Sequence, residues 1–196
     1  MDSFICRVRK TCGPDTGIQM TRRRIVLGVI SALAISSASA RAQTTQIKTE
    51  YLMTLYAPLD PPQQIDNSSV IRNVGAGGWV KGPKVNGTLI APGADWLRIM
   101  PGGNLRLDVR ATIKTDDGAL IFLSYNGIIS RSREIADRMA KGEVMTSADQ
   151  YFITAPTMQT SSEAYSWLNH VQCVGKMVEV KGGTNAYVKY DIFIVR

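Results

Sequence analysis

Carboxylates beside an indole and beside an arginine are the side chains of this sequence best suited to chemistry. Asp95 precedes Trp96, and a carboxyl group held against an indole can act as a general acid or base because its pKa is raised. Asp108 and Arg110 are two residues apart, so on a strand they share one face and could orient a carbonyl or hydroxyl group. Asp95, Asp108 and Arg110 are therefore the candidate catalytic residues.

Each of these candidates also has a purely structural interpretation, which the sequence leaves open. Asp95 follows the Pro-Gly-Ala segment at 92–94, so it is suited to cap a turn while Trp96 anchors a core. Asp108 and Arg110 would form an incidental ion pair on a solvated outer face, where such a pair stabilises by at most about 1 kcal/mol. The catalytic interpretation requires that their face line an interior.

Aromatic and amide side chains supply the candidate ligand-binding residues, which are Trp96, Tyr125, Trp167 and Asn169. The amide of Asn169 can hold a ligand oxygen, whereas Trp167 is better suited to packing. Tyr125 lies on the strand that returns from an Asp-Gly turn at 117–118. We expect one cavity, binding an uncharged or weakly acidic organic molecule, at which six side chains converge: Asp95, Asp108, Arg110, Trp96, Tyr125 and Asn169.

The common catalytic and metal-binding motifs are absent from this sequence. It contains no G-x-S-x-G elbow, Walker loop, HExxH or CxxC segment. His170 is the only histidine, which excludes a site with several histidine ligands, and Cys173 among apolar neighbours is typical of a small buried hydrophobe. We therefore expect neither a metal nor a cofactor.

The elements that must position these residues are short alternating strands separated by glycine turns. The clearest alternation runs over 105–113, where Leu, Leu, Val, Ala and Ile share one face, and the turn at 117–118 predicts a hairpin returning over 119–125. Further strands are predicted at 51–57, 70–74, 85–91, 151–154, 170–181 and 186–195. This pattern predicts an all-β fold, a single closed or nearly closed antiparallel barrel of the calycin or lipocalin type.

One short inserted helix is predicted within this barrel. Ser132 is a suitable N-cap for a helix over 133–141, apolar residues follow at three- and four-residue spacing, and Gly142 ends it. Because it lies between predicted strands, we expect it to cover one end of the barrel.

Several separately spaced motifs resemble those of a bacterial and fungal family, domain-of-unknown-function family 3237. The family pattern is GG-x-F-x-GP, G-x-D-W, T-x-DGA-x-I, Y-x-F-x-T-x-P and W-L-N. The corresponding segments here are GGWVKGP at 77–83, GADW at 93–96, TDDGAL at 115–120, TAP at 154–156 and WLN at 167–169. The resemblance extends over about 51–195, implies a barrel and an acidic residue and an arginine at Asp108 and Arg110, and names no reaction.

The net charge of +7 comes mainly from the N-terminal segment. Residues 1–42 hold seven basic and two acidic residues, whereas 43–196 hold 16 basic and 14 acidic residues. The predicted domain at 43–196 therefore lacks the basic stripe typical of nucleic-acid binding, and we expect no nucleic-acid partner.

An export signal is predicted before the barrel. Arginines at 22–24 precede an apolar run at 25–35 and a small-residue segment ending at Ala42, the order typical of a signal peptide. The arginine pair resembles a twin-arginine signal, with the Sec route as the alternative. We expect a signal peptide over 20–42 and an upstream start chosen in error over 1–19, with an ordinary tail as the alternative. The mature protein would be periplasmic or secreted and free of the membrane.

Two functions of different classes fit these observations. In the first, the barrel is an exported small-molecule-binding protein with its ligand in the lumen. In the second, the same lumen is the active site of a cofactor-independent isomerase, cyclase, dehydratase or hydrolase that uses Asp and Arg in acid–base chemistry. A small organic molecule is the expected partner in both cases, and a homodimer is left open.

Overall fold

Strands make up most of the chain described by the computed structural model, which covers residues 45–196. The predicted leader at 1–42 lies outside the described residues. The strands of residues 45–196 are β1 (Thr49–Pro58), β2 (Gln63–Gln64), β3 (Ser69–Asn73), β4 (Trp79–Lys81), β5 (Gly87–Ile99), β6 (Leu105–Thr115), β7 (Leu120–Ser130), β8 (Val144–Thr146), β9 (Tyr151–Gln159), β10 (Cys173–Lys181) and β11 (Tyr187–Val195). The helices of this range are α1 (Arg133–Ala140) and a 3₁₀ helix (Glu163–His170).

Eight of these strands close into an antiparallel barrel. Their order around the ring is β1, β11, β10, β9, β7, β6, β5 and β4, and β4 pairs again with β1. The remaining strands extend the ring: β3 pairs with β5, β2 with β3, and β8 with β10. The predicted closed antiparallel barrel is confirmed.

The hairpin of β6 and β7 matches the sequence prediction closely. Leu105 pairs with Ile129 at one end of this register and Lys114 with Leu120 at the other. Gly118 has φ +90° and donates its N–H to the carbonyl of Thr115 at 2.9 Å, so the turn uses the left-handed conformation that glycine adopts without strain. The alternate residues of β6 from Leu105 to Ile113 are all buried inside the barrel.

Strand β5 is longer than predicted and contains Asp95 and Trp96. The sequence suggested a strand at 85–91 and then a turn, but β5 continues to Ile99. Its pairing with β6 is irregular between Ile90 and Ala94, and Pro92 lies within this bulge, where the missing N–H of proline breaks no regular ladder bond. The first part of β5 pairs with β4 and the last part with β3.

Helix α1 is confirmed at the predicted place. The Ser132 hydroxyl accepts the N–H of Ile135 at 3.3 Å, and Gly142 follows the helix with φ +84°. Ala136, Met139 and Ala140 of this segment line the barrel cavity described below, so α1 covers that end of the barrel. Among residues 45–196, no helix has the length and hydropathy needed to cross a membrane.

The 3₁₀ helix was not predicted from the sequence. A strand was expected to begin at His170, but the 3₁₀ helix ends there and β10 begins at Cys173. Leu168 of this helix is buried and Trp167 packs against the core. With three residues per turn, two neighbouring apolar side chains provide too short a periodic signal to distinguish this helix from a strand.

The barrel interior differs between its two ends. At one end the side chains are fully packed, as shown by Leu52, Ile113, Ile121 and Ile192, which are at most 1% exposed. At the opposite end, beneath α1, the lumen remains open as a cavity. The site is therefore at the end of the barrel formed by the start of β6 and the end of β7.

Candidate functional site

The barrel lumen contains a cavity of about 340 Å³ beneath α1. Its wall is mainly apolar, with side chains such as Leu97, Leu107 and Val109. Polar groups reach it from several elements: Gln64 of β2, Arg72 of β3, Asp95 of β5, Tyr125 of β7, Arg131 before α1 and Tyr190 of β11. An apolar cavity with a few convergent polar groups is the usual form of a small-molecule site.

Asp95 provides the carboxyl group of this cavity. Its Oδ1 accepts the backbone N–H of Asp108 at 3.1 Å. Burial raises the pKa of Asp95 to about 6, with a smaller contribution from the Asp108 charge, while the N–H of Asp108 and the charge of Arg72 act in the opposite direction. A carboxyl group with this pKa exchanges a proton near neutral pH and can serve as acid or base.

Arg72 and Arg131 bring two guanidinium groups to the same cavity. Burial lowers the pKa of both, and the charge of Arg72 lowers the pKa of Arg131 further. Arg131 Nη1 lies 3.1 Å from the Met139 sulfur on α1, a weak acceptor. Within residues 45–196, neither guanidinium forms an ion pair with a carboxylate.

Tyr125 and Tyr190 form an aromatic pair on the cavity wall. Their ring centroids are 5.9 Å apart with an interplanar angle of 73°, and Phe152 packs against Tyr190 at 5.3 Å. Both tyrosines are buried, and burial, together with the nearby charge of Asp95, raises the pKa of each hydroxyl. The two phenols therefore remain neutral and can donate hydrogen bonds at neutral pH.

The structure brings together only two of the six residues expected to converge, Asp95 and Tyr125. The expectation is corrected for Asp108 and Arg110, which form a 3.2 Å ion pair on the outer face, with Arg110 50% exposed. Val109 between them faces the lumen, and side chains alternate along a strand, so its neighbours must face outward.

The expectation that Trp96 lines the cavity is also corrected. Trp96 lies on the outer face of the barrel, because Asp95 next to it faces inward. It is 42% exposed, and the Arg110 guanidinium lies 5.3 Å from its ring centroid. This contact is a cation–π interaction on the surface of the barrel rather than part of the lumen.

Trp167 and Asn169 lie on the 3₁₀ helix and do not line the lumen cavity. The Asn169 amide accepts the N–H of Thr160 and donates to its carbonyl, both at 2.9 Å. These two hydrogen bonds hold the connection between β9 and the 3₁₀ helix. Trp167 packs against the core with Lys84 Nζ 5.6 Å from its ring. The expected convergence is therefore corrected for Asn169 as well.

Sequence reasoning missed Arg72, Arg131 and Tyr190. A usable signal existed for Arg72, because it alternates with Val70 on β3 and with Val74 just after this strand, and the flanking valines predict an inward face. Tyr190 likewise shares the buried face of β11 with Val188. Arg131 lies between β7 and α1, where no periodic pattern indicates its direction.

The described residues do not gather a typical metal-binding set. Within residues 45–196, no three His, Cys, Asp or Glu side chains come together as metal ligands would. Cys173 is a free, buried cysteine, and burial raises the pKa of its thiol to about 11, so it is a poor nucleophile at neutral pH. The lumen side chains themselves can transfer a proton, donate hydrogen bonds and bind charge.

The fold and the cavity define a closed antiparallel barrel with a polar site inside an apolar lumen. The family model described as "Protein of unknown function (DUF3237)" matches residues 47–195. The chain therefore belongs to this family, as the sequence motifs indicated.

Relatives with similar sequences and structures carry equally general descriptions. A UPF0311 protein of Clostridium acetobutylicum is 35% identical over 105 residues, which cover 52% of this chain and 66% of that protein. A crystal structure of a conserved protein of unknown function from Rhodopseudomonas palustris matches with a TM-score of 0.69 and 27% identity, covering 78% of this chain and all of that one. A structure described as an enzyme from Penicillium herquei has a TM-score of 0.54 and 21% identity over 79% of this chain and 98% of its own, a likeness of fold alone.

Proposed function

We propose that this protein binds a small organic molecule in the barrel lumen beneath α1. The observation that carries the proposal is the cavity of about 340 Å³, whose apolar wall surrounds Arg72, Asp95 and Tyr125. Ligand cavities in proteins commonly have volumes of about 300–1,000 Å³ and combine an apolar lining with a few polar groups. Small antiparallel barrels often hold ligands in this position.

A fluorescent probe tests this proposal directly. N-phenyl-1-naphthylamine is uncharged and fluoresces more strongly in apolar surroundings, so we expect a saturable rise in fluorescence. Ala136→Trp places an indole on the side of α1 that lines the cavity, and should abolish the rise. Asp137→Trp places the same indole on the exposed side of α1 and should leave it intact.

Two results would count against lumen binding. The first is equal probe binding by the Ala136→Trp and Asp137→Trp proteins, which would locate the probe outside the cavity. The second is the absence of saturable binding to the unmodified protein while circular dichroism shows it folded.

Acid–base catalysis in the same lumen is a second candidate function, favoured by the raised pKa of Asp95, about 6. A carboxyl group in this state can deliver or remove a proton without a cofactor, as isomerisation, cyclisation, dehydration and hydrolysis require. In an enzyme, Asp95→Asn should abolish turnover while binding persists. In a carrier it should change affinity by about tenfold, or about 1.4 kcal/mol.

We further propose that the protein is exported and acts in the periplasm or outside the cell. The arginine pair at 22–23 and the apolar run at 25–35 support this location. N-terminal sequencing of the protein from its native host should find Gln43 first. Replacing Arg22 and Arg23 with lysine should block export by the twin-arginine route, whereas unchanged export would indicate the Sec route.

A further inference from the structure

We propose that the lumen ligand is an organic anion, an apolar or aromatic acid whose carboxylate is held by Arg72 and Arg131. This inference rests on the proposed function and specifies its ligand class. It differs from the sequence prediction of an uncharged or weakly acidic molecule, because the two arginines were not among the predicted site residues.

The balance of charge in the cavity is the first support. Arg72 and Arg131 contribute two cationic side chains to the lining, and Asp95 contributes the single carboxylate. Even with Asp95 ionised, the lumen has an excess of positive charge. A ligand with one negative charge would reduce this excess, whereas a cationic ligand would increase it.

The missing partners of the two guanidinium groups are the second support. Both groups are partly removed from water, and among residues 45–196 neither meets a carboxylate within ion-pair distance. Removing a charge from water is costly unless it is paired and hydrogen-bonded. A bound oxyanion would provide that partner, and guanidinium donors match the geometry of a carboxylate.

The surroundings of the arginines determine the rest of the ligand. Arg72 lies on β3 between Val70 and Val74, and all three side chains line the cavity. Leu97, which lies opposite Val70 on β5, and Leu107 offer only apolar contact. The structure therefore assigns the anionic group to the arginines and an apolar body to the remaining lumen.

Matched probes of equal shape test the charge requirement. We suggest isothermal titration of the protein at about pH 7 with 1-naphthoate and with 1-naphthamide, which share one ring system and differ in charge. We expect 1-naphthoate to bind at least about tenfold more tightly, a difference of about 1.4 kcal/mol. The preference should weaken as salt is added, because ions screen the interaction of charges in the partly open lumen.

Variants identify the groups responsible for the preference. In Arg72→Gln/Arg131→Gln, the affinity for 1-naphthoate should fall to that for 1-naphthamide, while binding of 1-naphthamide is unchanged. Arg72→Lys keeps the charge without the planar donor pair, so an intermediate affinity is expected. Arg110→Gln on the outer face is the matched control and should leave both affinities unchanged.

The outcomes separate this inference from the proposed function. Equal binding of the two naphthalenes, or a preference that survives in Arg72→Gln/Arg131→Gln, overturns the anion site and leaves lumen binding intact. Binding of neither naphthalene, with N-phenyl-1-naphthylamine held in the lumen, also overturns it. If all three probes fail to bind the folded protein, the proposed function itself is overturned.

Discussion

Arg72 and Asp95 lie directly opposite each other on β3 and β5, yet they do not form an ion pair. Oδ1 of Asp95 instead accepts the N–H of Asp108 on the other neighbouring strand. The guanidinium of Arg72 therefore keeps its donors for another partner. In this arrangement the carboxyl group of Asp95 and the guanidinium of Arg72 lie side by side in the lumen, and each can act on a ligand separately.

The first prediction concerns the pH dependence of stability. Burial raises the pKa of Asp95 from 3.8 to about 6, so the folded protein holds this proton more tightly than the unfolded chain. As pH rises from about 3 to about 7, through the unfolded and then the folded pKa, the wild type should lose stability relative to Asp95→Asn, by on the order of 3 kcal/mol. Urea denaturation of both proteins across this range measures the difference, and a flat difference would contradict it.

Asp66→Asn provides a control of opposite sign. The N–H and hydroxyl of Ser68 lower the pKa of Asp66, whose carboxylate is therefore favoured in the folded protein. Its contribution is present above its unfolded pKa and is lost as pH falls. Relative to Asp66→Asn, the wild type should gain stability as pH rises through the acid range.

The second prediction links the protonation of Asp95 to ligand affinity. An ionised Asp95 repels an anion bound beside it, and protonation removes this repulsion. The affinity for 1-naphthoate should therefore increase as pH falls from about 7 to about 5, through the pKa of about 6. Titration of Asp95→Asn should show no such increase. An affinity that decreases over this range in the wild type would contradict the placement of the anion near Asp95.

The third prediction compares the packed and open ends of the barrel. Ile113 is 0% exposed in the packed end, so Ile113→Ala should destabilise by about 2–5 kcal/mol. Leu107 on the same strand is 4% exposed but borders the cavity, so it has fewer contacts to lose and Leu107→Ala should cost less. Urea denaturation measures the free energy of unfolding that each variant loses. Equal losses in Ile113→Ala and Leu107→Ala would mean that the cavity is closed in solution.

The fourth prediction concerns the close approach of the start of β5 to the end of β6, where Gly87 pairs with Thr115. A Cβ atom at Gly87 would lie 2.7 Å from Thr115 Cα and would also meet the carbonyl oxygen of Lys114, both backbone atoms of the paired strand. Gly87→Ala should therefore destabilise by about 1–3 kcal/mol. Thr88→Ala, at the next and exposed position, is the control. A thermal melt of Gly87→Ala equal to that of the control would contradict this close approach.

Local periodicity explains which parts of the fold the sequence predicted. The alternation of β6, its Asp-Gly turn and the Ser132 cap of α1 depend on neighbouring residues, and the structure has all three. The continuation of β5 past Pro92 depends on pairing with the distant strand β3, which no local pattern reveals.

The site was predicted less completely than the fold for a related reason. Alternation grouped Asp108 with Arg110 correctly on one face of β6. The closure of the whole ring of strands determines which face of β6 lines the lumen. In this barrel the apolar face of β6 lines it. Arg131, between β7 and α1, reaches the cavity through tertiary structure alone.

The attachment of β3 suggests how a molecule reaches the lumen. β3 supplies Arg72 and is not one of the eight ring strands: it pairs with β5 on one edge, and its other edge is held by the two-residue β2 and by the N–H of Asp60, which donates to the carbonyl of Asn73 at 3.0 Å. Separating β3 from β5 would leave all eight ring strands paired, because the ring closes through β4. We therefore expect amide hydrogens of β3 to exchange with solvent faster than those of β1, through local opening without global unfolding.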